Sequence, residues 1–291
     1  MNFETIAEQL FFTTVRIDTT TNNDWDRCGT GTGFFISHVI NDVDYRFIVT
    51  NKHVVNGMTK GRLSFHRSMA GQPVLGDGFT LVVPTLNWTN LWFGHPDPSI
   101  DIAICPLVPL LQFMREQHGV EVFFRSLPTT IIPTKEQLKE LDALETVTFL
   151  GYPQGVWDRK NLLPVARRGT TASPIDVDFE RTPRFIIDAS VFGGSSGSPV
   201  FILNQGSWAT KQGGLVSGSR FFFVGVIAAV YQQTHMNEIV SVPIPTQVQP
   251  MAVQRENLNL GIVFKAHTVT DTVEAFLKTY NDDTSTSIEA N

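Results

Sequence analysis

Ile187-Asp188-Ala189-Ser190-Val191-Phe192-Gly193-Gly194-Ser195-Ser196-Gly197-Ser198-Pro199-Val200 is the stretch on which the reading of this chain turns. An apolar run leads into a glycine-rich turn holding two adjacent serines, and Pro199-Val200-Phe201-Ile202 leads out again as strand. Gly193, Gly194 and Gly197 let the backbone turn abruptly beside the hydroxyls. A hydroxyl is a weak nucleophile near neutral pH, so attack on a carbonyl needs a base to take its proton. Imidazole suits that task because its pKa lies near working pH. A carboxylate on its other nitrogen holds it in one tautomer. Preorganised backbone N–H groups must also meet the negative charge that develops on the carbonyl oxygen.

Two upstream segments carry the matching residue types. Phe47-Ile48-Val49-Thr50-Asn51-Lys52-His53-Val54-Val55 delivers His53 just after an apolar strand. Asp97-Pro98-Ser99-Ile100-Asp101-Ile102-Ala103-Ile104 places Asp101 just before a strand that reads as buried. Taken singly, each has an ordinary reading: a surface histidine, an exposed acid, a flexible glycine loop. Their joint occurrence favours acyl transfer. The serine turn also fits Gly-x-Ser-x-Gly with Ser195 attacking, but that elbow needs a following helix and an acid, then a histidine, downstream. After Ser195 no Asp precedes His267, only Glu238 and Glu256 are available, and the chain continues as strand. Ser196 is therefore the expected nucleophile.

Composition bounds the rest. The 291 residues are 42% hydrophobic and 17% charged, which allows a sizeable core and excludes wholesale disorder. Twenty-two Phe, 22 Gly and 16 Pro favour many short strands joined by tight turns. Lys+Arg number 22 against 28 Asp+Glu, a net charge of −6, so no basic footprint for nucleic acid is expected. No Lys/Arg-rich helix suits a membrane surface, and no window approaches the roughly 18 apolar residues of a spanning helix. The N-terminal Met1–Leu10 carries two acids and no base, unlike a secretory signal, and two cysteines make no disulfide framework. The expectation is a cytoplasmic protein with a protein or peptide substrate. No cofactor is expected, and no metal, since no His/Cys/Asp group has zinc spacing. Cys28 and Cys105 read as small core residues. The Asn87-Trp88-Thr89 sequon carries little weight without a secretory route.

Short β-rich runs recur at Leu10–Val15, Gly33–Ile36, Tyr45–Val49, Leu81–Val83, Ile100–Cys105, Thr146–Leu150, Phe185–Ile187, Pro199–Ile202, Phe221–Val230 and Ile239–Val242. Helical signal is confined to a capping box at Thr134 and Gln137, with Leu138, Leu141 and Leu144 on one face, and to Thr272–Tyr280 near the C-terminus. This divides the chain into a β-rich unit at 1–120 with His53 and Asp101, a linker with a short helix at 121–145, a β-rich unit at 146–265 with Ser196, and a terminal helix and tail at 266–291.

The three segments resemble the His, Asp and Ser motifs of trypsin-like serine peptidases, in that order. They are most similar to the bacterial HtrA-type branch: Thr50 to Val55 matches Thr-Asn-x-His-Val-Val, Asp101-Ile102-Ala103 matches Asp-Leu-Ala, and Asp188-Ala189 with Gly194 to Pro199 matches Asp-Ala and Gly-x-Ser-Gly-x-Pro. Gly31-Thr32-Gly33, Gly151-Tyr152-Pro153 and Arg168-Gly169-Thr170 resemble flanking pieces of the same pattern. The resemblance implies an all-β chymotrypsin fold of two six-stranded antiparallel barrels, with the site in the cleft between them. It implies His53 as general base, Asp101 as its orienting acid, Ser196 as nucleophile, and the N–H groups of Gly194 and Ser196 as oxyanion hole. Ser190 would lie at the base of the primary pocket, with Val226, Ala228 and Ala229 on a wall strand. A neutral hydroxyl at Ser190 predicts a neutral, apolar P1 residue.

The sequence departs from the pattern in two ways. Ser195 stands where many secreted relatives carry an Asp that pairs with a freed N-terminus, so activation by N-terminal cleavage is not expected. Beyond residue 265 too few residues remain for a PDZ domain. The rival readings are a trypsin-fold binding module without catalysis and an esterase using the same residues.

Overall fold

A computed structural model describes residues 3–21, 24–25, 28–83, 85–238 and 251–289; the strand expected at Ile239–Val242 lies outside them. Among the described residues the strands form two main units. In the first, one nine-stranded sheet runs in the order Gln72–Val83, Lys60–Met69, Thr14–Thr20, Gly29–Ile40, Val43–Thr50, Ala103–Pro106 and Phe93–Gly94, with Val122–Phe123 and Leu127–Pro128 attached at its sides. In the second, Thr146–Gly151, Val165–Thr171, Arg184–Asp188, Met251–Lys265, Arg220–Glu238 and Pro199–Asn204 close into a six-stranded barrel. This is the chymotrypsin-type, all-β double-barrel architecture, with the second barrel closing completely and the first drawn as one continuous sheet.

Alternation along the strands explains how the units join. Phe34, Ile36, Phe47 and Val49 point one way and pack with Leu150, Phe201, Phe223 and Phe264 of the barrel. Their neighbours Phe35 and Ile48 point the other way, into a core with Leu63, Phe65 and Leu81. The barrel fills its own interior with Val147, Phe149, Phe185, Ile187, Val200 and Ile202. The inner stretches of the two central strands, 33–36 and 47–49, are thus buried on both faces, which is why those stretches read as apolar runs.

Helices differ most from expectation. The Thr134 capping box forms, with Gln137 N–H donating to Thr134 Oγ1 at 3.3 Å and Thr134 N–H to Gln137 Oε1 at 2.9 Å. The terminal helix is longer than its apolar stripe, running His267–Glu289, and seats Val273, Leu277 and Phe276 against the inter-unit core. A helix at Leu107–His118 was not expected. It follows directly on the strand Ala103–Pro106, so its apolar residues extend an apolar run with no polar break; Pro109 in its first turn and Gly119 at φ +62° beyond its end are the signals that mark it. The run Leu10–Val15 splits into a short helix, Ile6–Leu10, and a strand that starts at Thr14. Cys105 is buried in the core and its thiol is pushed up by burial, whereas Cys28 is only half-buried.

A loop of the second unit also reaches back to the first. The carbonyl of Leu162 accepts from His66, whose ring is buried against Phe12 at a centroid distance of 4.9 Å. Burial pushes the His66 imidazole down to about 4, with the Leu162 contact opposing only part of the shift. Above pH 6.5 neither folded nor unfolded chain protonates here, so stability is full. As pH falls from 6.5 towards 4 only the unfolded chain takes the proton, and stability drops by up to about 3 kcal/mol. Urea titrations at pH 7 and pH 4.5 should show this loss, and His66→Gln should lack much of it. An unchanged pH dependence in the variant would contradict the assignment.

Candidate active site

His53 and Asp101 come together where two strand ends meet. Val43–Thr50 runs inwards, Asn51 opens a single helical turn at Lys52–Val55, and this turn lifts His53 to the surface while burying Val54 and Val55. Asp101 precedes Ala103–Pro106, the neighbouring strand, which pairs Thr50 with Ala103. Asp101 Oδ2 lies 2.5 Å from His53 Nδ1, and Asp101 Oδ1 accepts the His53 backbone N–H at 3.0 Å. One carboxylate thus fixes both the ring and the backbone of the histidine. Asn51 Nδ2 donates to Asp101 O at 2.7 Å, and Lys52 Nζ to Asp97 O at 2.9 Å, pinning the acid's own turn. The His53 side chain is 49% exposed and that of Asp101 27%. The ring can therefore meet a ligand at its far nitrogen.

The serine turn is held from inside and outside. Gly194 and Gly197 sit at φ +88° and +87°, where any other residue is disfavoured. A Cβ at Gly197 would lie 1.9 Å from Thr32 O and one at Gly194 2.3 Å from Tyr152 O, so both positions are closed to side chains by backbone. Ser195 N–H donates to Phe192 O, Ser198 N–H to Ser195 O and Gly197 N–H to Ile227 O. The N–H groups of Gly194 and Ser196 have no acceptor among the described residues. The Ser196 hydroxyl donates to Ala228 O at 3.2 Å.

Thr32, which the sequence marks only as part of a Gly-Thr-Gly strand, is the hub of this arrangement. Its N–H donates to Ser196 O at 2.8 Å and its hydroxyl to Gly194 O at 2.9 Å, so the carbonyls on both sides of Ser195 are taken. Its Oγ1 also accepts Tyr152 N–H at 3.2 Å, and its own carbonyl accepts from Thr50 Oγ1 at 2.7 Å. A fully buried residue of the first unit thus orients the turn of the second. The flanking glycines were the legible signal of tight packing around Thr32 within its own unit: a Cβ at Gly31 would strike Val54, and one at Gly33 would strike Ile17 and Ile48.

The residues assigned to a primary pocket sit in differing surroundings. Ser190 is half-buried beside the buried Ala189. Val226 is fully buried in the inter-unit core, and Ala228 is buried with its carbonyl turned to Ser196. Ala229 pairs through its backbone with Ile262. Among the described residues no cluster of His, Cys, Asp and Glu has the makings of a metal site, and no helix is long and apolar enough to cross a membrane.

The chain belongs to the trypsin-like peptidase domain family, whose sequence profile matches residues 31–208. Solved structures similar to it include the active form of the Rv3671c protease from M. tuberculosis, at 18% identity over 91% of this chain and 81% of that one, TM-score 0.44. The thermostable serine protease AL20 from an extremophilic microorganism is 13% identical over 91% and 97%, TM-score 0.44. The scabies mite inactivated protease paralogue S-I1 is 14% identical over 92% and 95%, TM-score 0.45. No curated protein matches the chain.

Proposed function

We propose that this protein is a serine endopeptidase that works through an acyl-enzyme, with His53 as base, Asp101 as its orienting acid and Ser196 as nucleophile. The observation that carries this reading is the double hold of Asp101 on His53, together with a glycine turn, tied to the same unit through Thr32, whose Gly194 and Ser196 N–H groups lack acceptors among the described residues. In the reaction Ser196 Oγ leaves Ala228 O, gives its proton to His53 Nε2 and bonds to the substrate carbonyl carbon. The carbonyl oxygen takes the negative charge and is met by the two N–H groups. Collapse breaks the C–N bond, the amine leaves with the proton from His53, and water activated by the same ring hydrolyses the ester. Asp101 keeps the ring oriented throughout.

The uncharged Ser190 supports a neutral, apolar P1 residue, and only two cysteines in 291 residues support an intracellular setting. A fluorophosphonate probe followed by peptide mass spectrometry tests the assignment. The expected adduct is on Ser196, and digestion of denatured casein should yield fragments ending in neutral side chains. No adduct, or an adduct on Ser195, would overturn the mechanism; a strict basic P1 would overturn the pocket.

A further inference from the structure

The turn that presents Gly194 N–H is not self-supporting. Ser195 beside it is 1% exposed, and its hydroxyl has no partner among the described residues, so no charge anchors the turn from within. Its outer support is the segment Tyr152–Trp157. Gln154 N–H donates to Gly193 O at 2.5 Å, and so sets the plane of the Gly193–Gly194 peptide. That plane decides where Gly194 N–H points, because the C=O and N–H of one peptide lie on opposite sides. Gln154 pays for this geometry by adopting φ +50°, a left-handed conformation that a non-glycine residue keeps only when its surroundings hold it.

The holding group comes from the other unit. Arg16 lies on Thr14–Thr20 directly across from Thr32, with the same register that brings Thr32 to the serine turn. Arg16 Nη1 donates to Gly155 O at 2.8 Å, and its guanidinium lies 5.1 Å from the centre of the Trp157 ring. Its remaining donors, Nε and Nη2, grip Asp18 at 3.0 and 2.8 Å. Asp18 is 2% exposed and is shared with Thr30 Oγ1 and Arg62 Nε. Burial would lift its pKa, but the hydrogen bonds and charge of Arg16, with Thr30 and Arg62, outweigh it and keep the carboxyl below its usual range. A planar fork held bidentately on one edge can present its other edge in only one direction. Here that direction is the Gly155 carbonyl.

We infer that Arg16, locked by Asp18, is a positioning residue that holds the Gln154–Gly155 turn of the second unit so that Gly194 N–H faces the cleft. The chemical consequence rests on the peptidase reading above; the mechanical tie does not. The test compares the full chain with Arg16→Met, Arg16→Lys and Arg62→Met. Arg62→Met takes the same charge from Asp18 without touching the loop.

One arm measures amide hydrogen exchange in the segment containing Gln154. The other measures Ser196 acylation by p-nitrophenyl acetate in single turnover. Arg16→Met should speed exchange at least about tenfold, and should lower the limiting acylation rate about 10- to 100-fold with half-saturation changed by less than about threefold. Arg16→Lys, which has a single ammonium for two tasks, should fall between, and Arg62→Met should stay within about threefold of the unmodified chain in both arms. If Arg16→Met folds poorly, adding Asp18→Asn removes the stranded carboxylate and the same losses are expected. Equal effects of Arg16→Met and Arg62→Met, or faster exchange with unchanged acylation, overturn the inference. An unmodified chain that is not acylated sinks the peptidase reading instead, and the exchange arm still decides whether Arg16 holds the turn.

Discussion

Replacing Ser196 by alanine is expected to lower kcat by about a million-fold, while Ser195→Ala leaves it within about threefold. The two serines are adjacent and chemically identical, so this contrast isolates geometry. Ser196 is partly exposed, its hydroxyl donates only to Ala228 O, and its carbonyl is held by Thr32. Ser195 is 1% exposed and its hydroxyl is buried without a partner among the described residues. Its backbone bond to Phe192 O does not depend on the side chain. Deleting an unsatisfied buried hydroxyl removes a desolvation cost, so Ser195→Ala should keep or slightly raise stability, by up to about 1 kcal/mol. Steady-state hydrolysis of a chromogenic peptide, with thermal melts of both variants, decides the matter. A large loss in Ser195→Ala with activity kept in Ser196→Ala would reverse the assignment and restore the elbow reading.

Asp101→Asn should cost about 10⁴-fold in kcat with KM changed by only a few-fold. Asp101 accepts twice from His53, once at the backbone N–H and once at Nδ1. An asparagine has only one carbonyl oxygen to offer. If that oxygen faces the backbone N–H, its NH₂ faces Nδ1 and forces the ring proton onto Nε2, the nitrogen that must accept from Ser196. If the amide flips, the backbone bond is lost and the single turn at Lys52–Val55 is freed. Either way binding is little altered and proton transfer is impaired, so kcat and KM should separate. A fall of less than about tenfold would show that Asp101 does not orient the base.

Which parts of this molecule the chain announces, and which it does not, follows from the range of the forces involved. The glycine-rich serine turn was legible because its causes are local: glycine freedom at Gly194 and Gly197, and strand on both sides. The order of His53, Asp101 and Ser196 along the chain was legible too, since it requires only residue types in sequence. The helix Leu107–His118 was not, because strand Ala103–Pro106 runs into it without a polar break and both bury their residues in one core. Nor could the sequence distinguish pocket wall from core at Val226, since burial between units depends on what the opposite unit presents.

By itself, then, the sequence determined the class of fold, the residue types of the candidate site and their order, because these rest on spacing, backbone freedom and polarity read within a few residues. Only the tertiary structure decided that Thr32 and Arg16, more than a hundred residues before the serine turn, orient it. That role depends on antiparallel register placing the two across from each other and on two units meeting, and hydrogen bonds of about 3 Å between distant segments leave no periodic trace in the chain.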